Sequence, residues 1–297
     1  MKILTTPELQ FSQIPDFPFA PNYLDIGDGL IMHYIDEGPR DGEVVLLLHG
    51  EPSWSFLYRK MIPVFVEAGY RTIAPDLIGF GKSTKPAAQS DYTYTRHLEW
   101  MNKFVQNLDL QGINGFFQDW GGLIGLRNAL ENESRYASIT VANTFLPTGE
   151  VGANEAFMQW RQFSQSSPKF DIGTIIQRAT VSDLSPEVVA AYNAPFPTDE
   201  YKAGARIFPT LVPITPDAEE AMNNKMAWGQ LMRWTKPFLT LFSDSDPIMA
   251  GLEKHFIKNV PGAKGQPHEI ITGGGHFLQE DKGEEIAEKM VEFLKNI

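Results

Sequence analysis

The sequence predicts an α/β protein in which a mostly parallel sheet, with helices on both faces, is interrupted by a helical insertion. Three observations predict it. Short apolar runs alternate with segments of helical periodicity up to about Asn143, the pattern that builds a covered parallel sheet. The alternation then stops, and it resumes at Phe238. The stretch between is rich in Phe, Pro and Met and has no clear strand pattern.

The opening arm, to about Pro21, contains Pro and Phe and is expected to pack over the core. Tyr23–Ile26 and Leu30–Ile35 alternate in polarity around a Gly-Asp-Gly turn, which reads as an antiparallel pair. Val44–Leu48 is continuously apolar and ends in His49-Gly50. Such a run marks a strand buried on both faces of a parallel sheet. Shorter runs follow at Thr72–Ala74, Gly115–Phe117 and Ile139–Ala142, separated by helical periodicity around Leu57–Val66, His97–Asn107 and Leu123–Leu130. From Leu146 to Met226 the pattern is helical. Alternation returns at Phe238–Phe242 and Glu269–Ile271 and closes with an amphipathic helix, Glu284–Asn296. The C-terminal part is too short to form a sheet alone. Residues 1–145 and 227–297 are therefore expected to make one core, and residues 146–226 a helical cap.

Composition narrows the function. A chain of 297 residues can hold one large core with an insertion. Its 20 Phe and 6 Trp suffice for a core and an apolar pocket. With 25 basic against 37 acidic residues, the formal net charge is −12. That argues against nucleic acid or an anionic membrane as partner, because phosphate binding needs clustered Lys and Arg. A neutral substrate fits better. The lack of cysteine excludes disulfides, Cys-type zinc sites and thiol catalysis. The start, Met1–Gln13, has no apolar core of a secretory signal, and no run approaches the ~18 apolar residues of a membrane helix. A cytoplasmic location is expected.

The chemistry centres on Phe116-Phe117-Gln118-Asp119-Trp120-Gly121-Gly122, where a strand ends and a helix begins. A nucleophile elbow needs this context, a tight turn followed by small residues that let the helix pack close. In esterases the central residue is Ser. A carboxylate is already ionised at neutral pH and needs no activating base. It suits displacement of a good leaving group from an sp³ carbon in a dry pocket. Read alone, Asp119 also fits a helix N-cap.

The remaining motifs favour the nucleophile. His276 follows a Gly-rich turn, Gly273-Gly274-Gly275, just past the last apparent strand. Asp244 and Asp246 follow the strand Phe238–Phe242. Nucleophile, acid, His is the chain order of the α/β-hydrolase fold. One of the two Asp residues should accept the Nδ1–H of His276. His49-Gly50-Glu51-Pro52 closes the apolar strand, so the backbone N–H groups of Glu51 and Trp120 are candidate oxyanion donors. Trp120 adds an indole that can only donate, suited to a departing halide in apolar walls. Trp54, Trp100, Trp228 and Trp234 read as core, and His33, His97, His255 and His268 as structural or surface residues.

Taken together, the segments LLLHGEPSWSFLYRKMIPVF, IAPDLIGFGKSTKP, FFQDWGG, NAPFP, FSDSDPI and GGHFLQED resemble the haloalkane dehalogenases along nearly the whole chain. The likeness is to the subfamily with Glu after His-Gly and a halide-binding Trp in the cap. The resemblance implies Asp119 as nucleophile, His276 as base and Asp246 as acid, with Glu51 holding the hydrolytic water. It implies Trp120 and a cap residue, Trp160, as halide ligands. Phe208, Pro209, Val212, Ile248 and Met249 would line the pocket. The substrate would be a small neutral halogenated aliphatic, with water as co-substrate, halide as product and neither cofactor nor metal. Phe117 departs from the pattern, since that elbow position is usually small. An epoxide hydrolase is the nearest rival, with Tyr192 and Tyr201 as available donors, but that family usually has an aromatic residue where Glu51 stands. A fluoroacetate-type enzyme would need Arg in place of Trp120. A non-catalytic relative can lose a triad member or seal the pocket, and all triad members are present.

Overall fold

A computed structural model describes all 297 residues, Met1–Ile297. Its strands are β1 (Ile3–Leu4), β2 (Asn22–Gly27), β3 (Leu30–Glu37), β4 (Val44–Leu48), β5 (Arg71–Pro75), β6 (Lys85–Pro86), β7 (Ile113–Gln118), β8 (Tyr136–Ala142), β9 (Phe238–Ser243) and β10 (Glu269–Ile271). Its α-helices are α1 (Ile62–Glu67), α2 (Tyr94–Asn107), α3 (Trp120–Glu131), α4 (Glu155–Ser166), α5 (Ile172–Arg178), α6 (Pro186–Asn193), α7 (Ala203–Leu211), α8 (Ala221–Leu231), α9 (Glu253–Asn259) and α10 (Leu278–Leu294).

Eight strands form one sheet in the order β10-β9-β8-β7-β4-β5-β3-β2. Only the β2–β3 and β3–β5 pairings are antiparallel; from β5 to β10 every pairing is parallel. β4 shows why the sheet is covered twice. Val44, Leu46 and Leu48 join a core shared with α2, α3 and the inserted helices. Val45 and Leu47 join a second core with α1 and α10. Alternate side chains of a strand point to opposite faces, so an all-apolar strand requires two apolar layers.

The arm packs as expected, with Phe11, Ile14 and Phe17 against the core. It also pairs β1 with β6, two residues each and too short to read from periodicity. Three other expectations need correction. The helix expected over Leu57–Val66 is a 3₁₀ turn, Ser55–Tyr58, followed by α1, because Pro63 sits in the first turn of α1 and is excluded from a helix interior. The last helix begins at Leu278 rather than Glu284, with a kink at Lys282 (φ −141°, ψ 30°). Gly283, a poor helix former, hid the first turn from the pattern. The insertion boundary after Met226 falls inside α8, which packs on α3.

The inserted helices α4, α5 and α6 are capped at their N-termini by the side chains of Asn154, Asp171 and Ser185, each accepting a backbone N–H three residues on. No helix is long and apolar enough to cross a membrane.

Phe117 is housed by two glycines. A Cβ on Gly115 would lie 2.3 Å from its Cζ, and one on Gly125 of α3 would lie 2.7 Å from its ring. The large side chain at the elbow is thus matched by missing ones on the strand and the helix. Gly125→Ala is expected to destabilise the chain by about 1–3 kcal/mol in urea unfolding, through overpacking. Adding Phe117→Leu should recover part of that loss. Strictly additive effects would show that Phe117 is not what fills the gap.

Candidate active site

The site lies at the C-terminal ends of the parallel strands. Asp119 sits between β7 and α3 with φ 50° and ψ −126°, a backbone conformation that non-glycine residues seldom adopt. Its N–H donates to the Asn143 carbonyl at 3.1 Å. Its carbonyl accepts from the Gly122 N–H at 2.8 Å and from the Thr144 hydroxyl at 2.7 Å. The turn therefore aims the side chain out of the sheet, and Asp119 makes no side-chain cap to α3. The β4 loop can close on it only because residue 50 is glycine: a Cβ there would lie 2.3 Å from Asp119 Oδ1.

The two carboxylate oxygens have different neighbours. Oδ1 accepts the Glu51 backbone N–H at 2.8 Å. Oδ2 lies 3.4 Å from His276 Nε2. The second expected donor, the Trp120 backbone N–H, makes no hydrogen bond to the carboxylate. The other ring nitrogen, His276 Nδ1, meets Asp246 Oδ2 at 2.7 Å. Asp246 is buried, and its Oδ1 accepts the Ile248 and Met249 N–H groups at 2.8 and 3.2 Å. Burial alone would raise its pKa, but His276 and the two amides outweigh burial and lower it. Asp246 is thus an acceptor, and Nδ1 of His276 carries hydrogen. Asp244 is exposed and accepts the Gly273 N–H at 3.0 Å, so it braces the His276 loop instead.

Charge in the site is tightly coupled. Burial would lower the pKa of His276, but Asp246 and Asp119 raise it to about 10. Burial and the Asp119 charge push Glu51 well above the usual carboxylate range, only partly offset by His276 and by the Trp160 side chain donating toward it. Glu51 Oε1 is buried without a partner. Behind the loop, His49 Nε2 accepts the Leu77 N–H at 2.9 Å and Nδ1 donates to the Gly50 carbonyl at 2.8 Å. Burial lowers the pKa of His49, which suits a neutral brace.

These groups face a cavity of about 1020 Å³ with Asp119, Glu51, His276, Trp120 and Trp160 in its wall. Pro209, Val212, Ile248 and Met249 also line it. Phe208 does not. It is fully buried behind Trp120, stacked at 4.4 Å and 13°, with Phe80 stacked on its own ring at 5.1 Å. Trp160, on α4, packs on Phe163 and Phe170. Tyr192 and Tyr201 are not part of the wall; the Tyr192 hydroxyl is buried against Glu280. Trp54, Trp100 and Trp234 are core, while Trp228 donates to the Leu146 carbonyl at 2.9 Å and reaches the cavity edge. His33 pairs with Asp76, His97 is buried, His268 holds β9, and His255 reaches the wall.

Two residues of the site were not singled out from sequence. Gln118 Nε2 donates to the His276 carbonyl at 3.0 Å. Asn143 Nδ2 holds the Gly275 and His276 carbonyls at 3.0 and 3.2 Å. Their signal was available: each is an amide at the end of an apolar parallel strand, where ligand sites of such sheets lie.

The resting His276 is expected to be an imidazolium through neutral pH and to titrate near 10, read by NMR of the ring. Because that value lies above 6.5, the stabilisation from the ion pair is fully present below pH 6.5 and lost as pH rises through about 10. Asp119→Asn should lower the midpoint. A midpoint at the ordinary histidine value in both chains would contradict this arrangement.

Residues 43–283 match the family described as alpha/beta hydrolase fold. A haloalkane dehalogenase from Psychrobacter cryohalolentis is 55% identical, covering 99% of this chain and 98% of its own. One from Mycobacterium marinum is 48% identical, covering 98% and 99%. The solved structure of a haloalkane dehalogenase from Paraglaciecola agarilytica, described as tetrameric, matches with a TM-score of 0.90 at 37% identity, over 97% of each chain. With a parallel sheet carrying an Asp elbow, and this likeness over its full length, the chain belongs to the haloalkane dehalogenase family of α/β hydrolases.

Proposed function

We propose that the chain hydrolyses small neutral haloalkanes to the alcohol, halide and a proton through an ester on Asp119. The observation that carries this reading is the Asp119 carboxylate, held between the Glu51 N–H and His276 in a cavity that also contains the Trp120 and Trp160 indoles.

The first step is displacement. The oxygen not bound to Glu51, Asp119 Oδ2, attacks the halogen-bearing carbon. The carbon–halogen bond breaks, and the halide leaves with the electron pair toward the indole N–H groups of Trp120 and Trp160. Indoles donate but cannot compete as bases, and their apolar surroundings suit a weakly hydrated anion.

The second step depends on charge lost in the first. Esterified Asp119 is neutral, so one of the two anions that raise His276 is gone. The ring then releases its proton and becomes a base. It takes a proton from water, whose oxygen attacks Asp119 Cγ. Oδ1 becomes the oxyanion on the Glu51 N–H. Collapse breaks the bond between Cγ and the alkyl oxygen. The departing alkoxide takes the proton of the added hydroxyl and leaves as the alcohol, so that Asp119 is again a carboxylate beside the His276 imidazolium. Glu51, whose pKa burial and the Asp119 charge push up, has a free Oε1 to hold the water.

The insertion supplies Trp160, Pro209 and Val212 to the wall, which supports its role as a cap over the core. A cytoplasmic location fits the cysteine-free composition. Epoxide opening is disfavoured, because neither Tyr192 nor Tyr201 faces Asp119.

With 1-bromobutane, Asp119→Ala should release no bromide. His276→Phe should release one equivalent per site and leave an ester on Asp119 visible by mass spectrometry. Full turnover by His276→Phe would refute the mechanism. Trp120→Phe and Trp160→Phe should each lower kcat/KM by about 10- to 100-fold, matching loss of a hydrogen bond to a charged group, about 1.5–3 kcal/mol. If Trp160→Phe keeps normal kcat/KM, Trp160 is not a halide donor.

A further inference from the structure

We infer that Gln118 is a positioning residue for the second half-reaction: its amide holds His276 in the neutral, base-competent form once Asp119 is esterified. The inference rests on the two-step reading above and adds a residue to it.

Gln118 is the last residue of β7, next to the nucleophile and fully buried. Its Nε2 lies 3.0 Å from the His276 carbonyl oxygen and 3.3 Å from His276 Nε2. A carbonyl oxygen only accepts, so the amide nitrogen, not the oxygen, faces His276. One N–H serves the carbonyl and the other is left for the ring. Since Nδ1–H is committed to Asp246 at 2.7 Å, a neutral ring presents its lone pair at Nε2, where the second Gln118 N–H can donate.

Asp119 Oδ2 approaches the same nitrogen at 3.4 Å. The two neighbours favour opposite states. The carboxylate stabilises Nε2–H and the imidazolium. The Gln118 amide is a donor and is opposed by another donor, so it stabilises the neutral ring. The other charged or titratable groups facing His276 are Asp246 from the loop after β9 and Glu51 from the loop after β4. While Asp119 is charged, the imidazolium wins, and the His276 pKa stands at about 10. Once Asp119 is an ester, its pull on Nε2–H is gone and the Gln118 donor is unopposed at that nitrogen. At 3.3 Å the contact is long, so a water proton can replace it when the base acts.

Two further observations separate this role from plain packing. The Gln118 Oε1 is buried without a partner, a cost that an apolar side chain of the same size would avoid. And the backbone of the loop is already anchored without it, by Asn143 on both the Gly275 and His276 carbonyls.

The test is rapid-mixing kinetics on Gln118→Met with 1-bromobutane, reading bromide release and ester decay separately from pH 6 to 10. The bromide burst should stay within about threefold of the parent. Ester decay should slow by about tenfold, and its acid limb should move up by about one pH unit, because the ring loses a donor that favours its neutral form. If the burst and the decay slow together with the limb unmoved, or if neither changes, Gln118 is structural and the inference fails. Should Gln118→Met not fold, Gln118→Glu preserves the shape. There the ester decay should slow and its limb rise by more than about one pH unit, since a carboxylate replaces a donor with an acceptor at Nε2, and an unmoved limb, or a burst slowed as much as the decay, overturns the inference equally. Failure of the underlying mechanism would look different: His276→Phe would then show no burst and no ester.

Discussion

The arrangement of this enzyme depends on one strained turn. At Asp119 the chain passes from β7 to α3 at a positive φ, and it is held there by the Asn143 carbonyl, the Gly122 N–H and the Thr144 hydroxyl. Everything at the site is placed relative to that carboxylate. Gly50 is bare so that the β4 loop can touch it, and the Glu51 N–H reaches it for the same reason. His276 and Asp246 are delivered from strands on the far side of β8. The amides of Asn143 and Gln118, at the ends of β8 and β7, tie the His276 loop back to the strands beside the nucleophile.

Electrostatics turns this geometry into a sequence of events. The partly buried imidazole is flanked by two carboxylates, and in the proposed mechanism only Asp119 takes part in covalent chemistry. In the proposed mechanism, esterification lowers the basicity of His276 by removing the Asp119 charge that helps to raise it. Asp246, kept anionic by two amides and the ring itself, remains constant through both steps. A group that must be charged in one half-reaction and neutral in the next is best controlled by a neighbour whose charge the reaction itself removes.

Much of this was legible in the sequence, for physical reasons that differ by element. β4 was read to the residue because its uninterrupted apolar run ends abruptly at His49-Gly50. Asp119, Glu51, Trp120 and His276 were legible because each lies in a short local motif whose backbone requirements show as glycines. The choice between Asp244 and Asp246 could not come from residue type. It depends on which carboxylate turns inward, and the structure turns Asp246 toward the ring while Asp244 braces Gly273. Gln118 was passed over because its partner is 158 positions away. Phe208 was assigned to the pocket because its segment resembles the one that lines the pocket in the family. Its true place was set by the stack of Trp120 and Phe80, which no periodicity encodes.

That stack has an evolutionary consequence. The ring of Trp120 is backed by Phe208 from the inserted segment, and Phe208 is backed in turn by Phe80 of the core, so the end of the cavity where bonds break is tied to both layers. Pro209, Val212, Ile248 and Met249 also line the cavity, and their side chains carry no catalytic hydrogen bond. Selection can therefore exchange those residues and retune which molecules are admitted, while the bond-breaking apparatus is inherited unchanged.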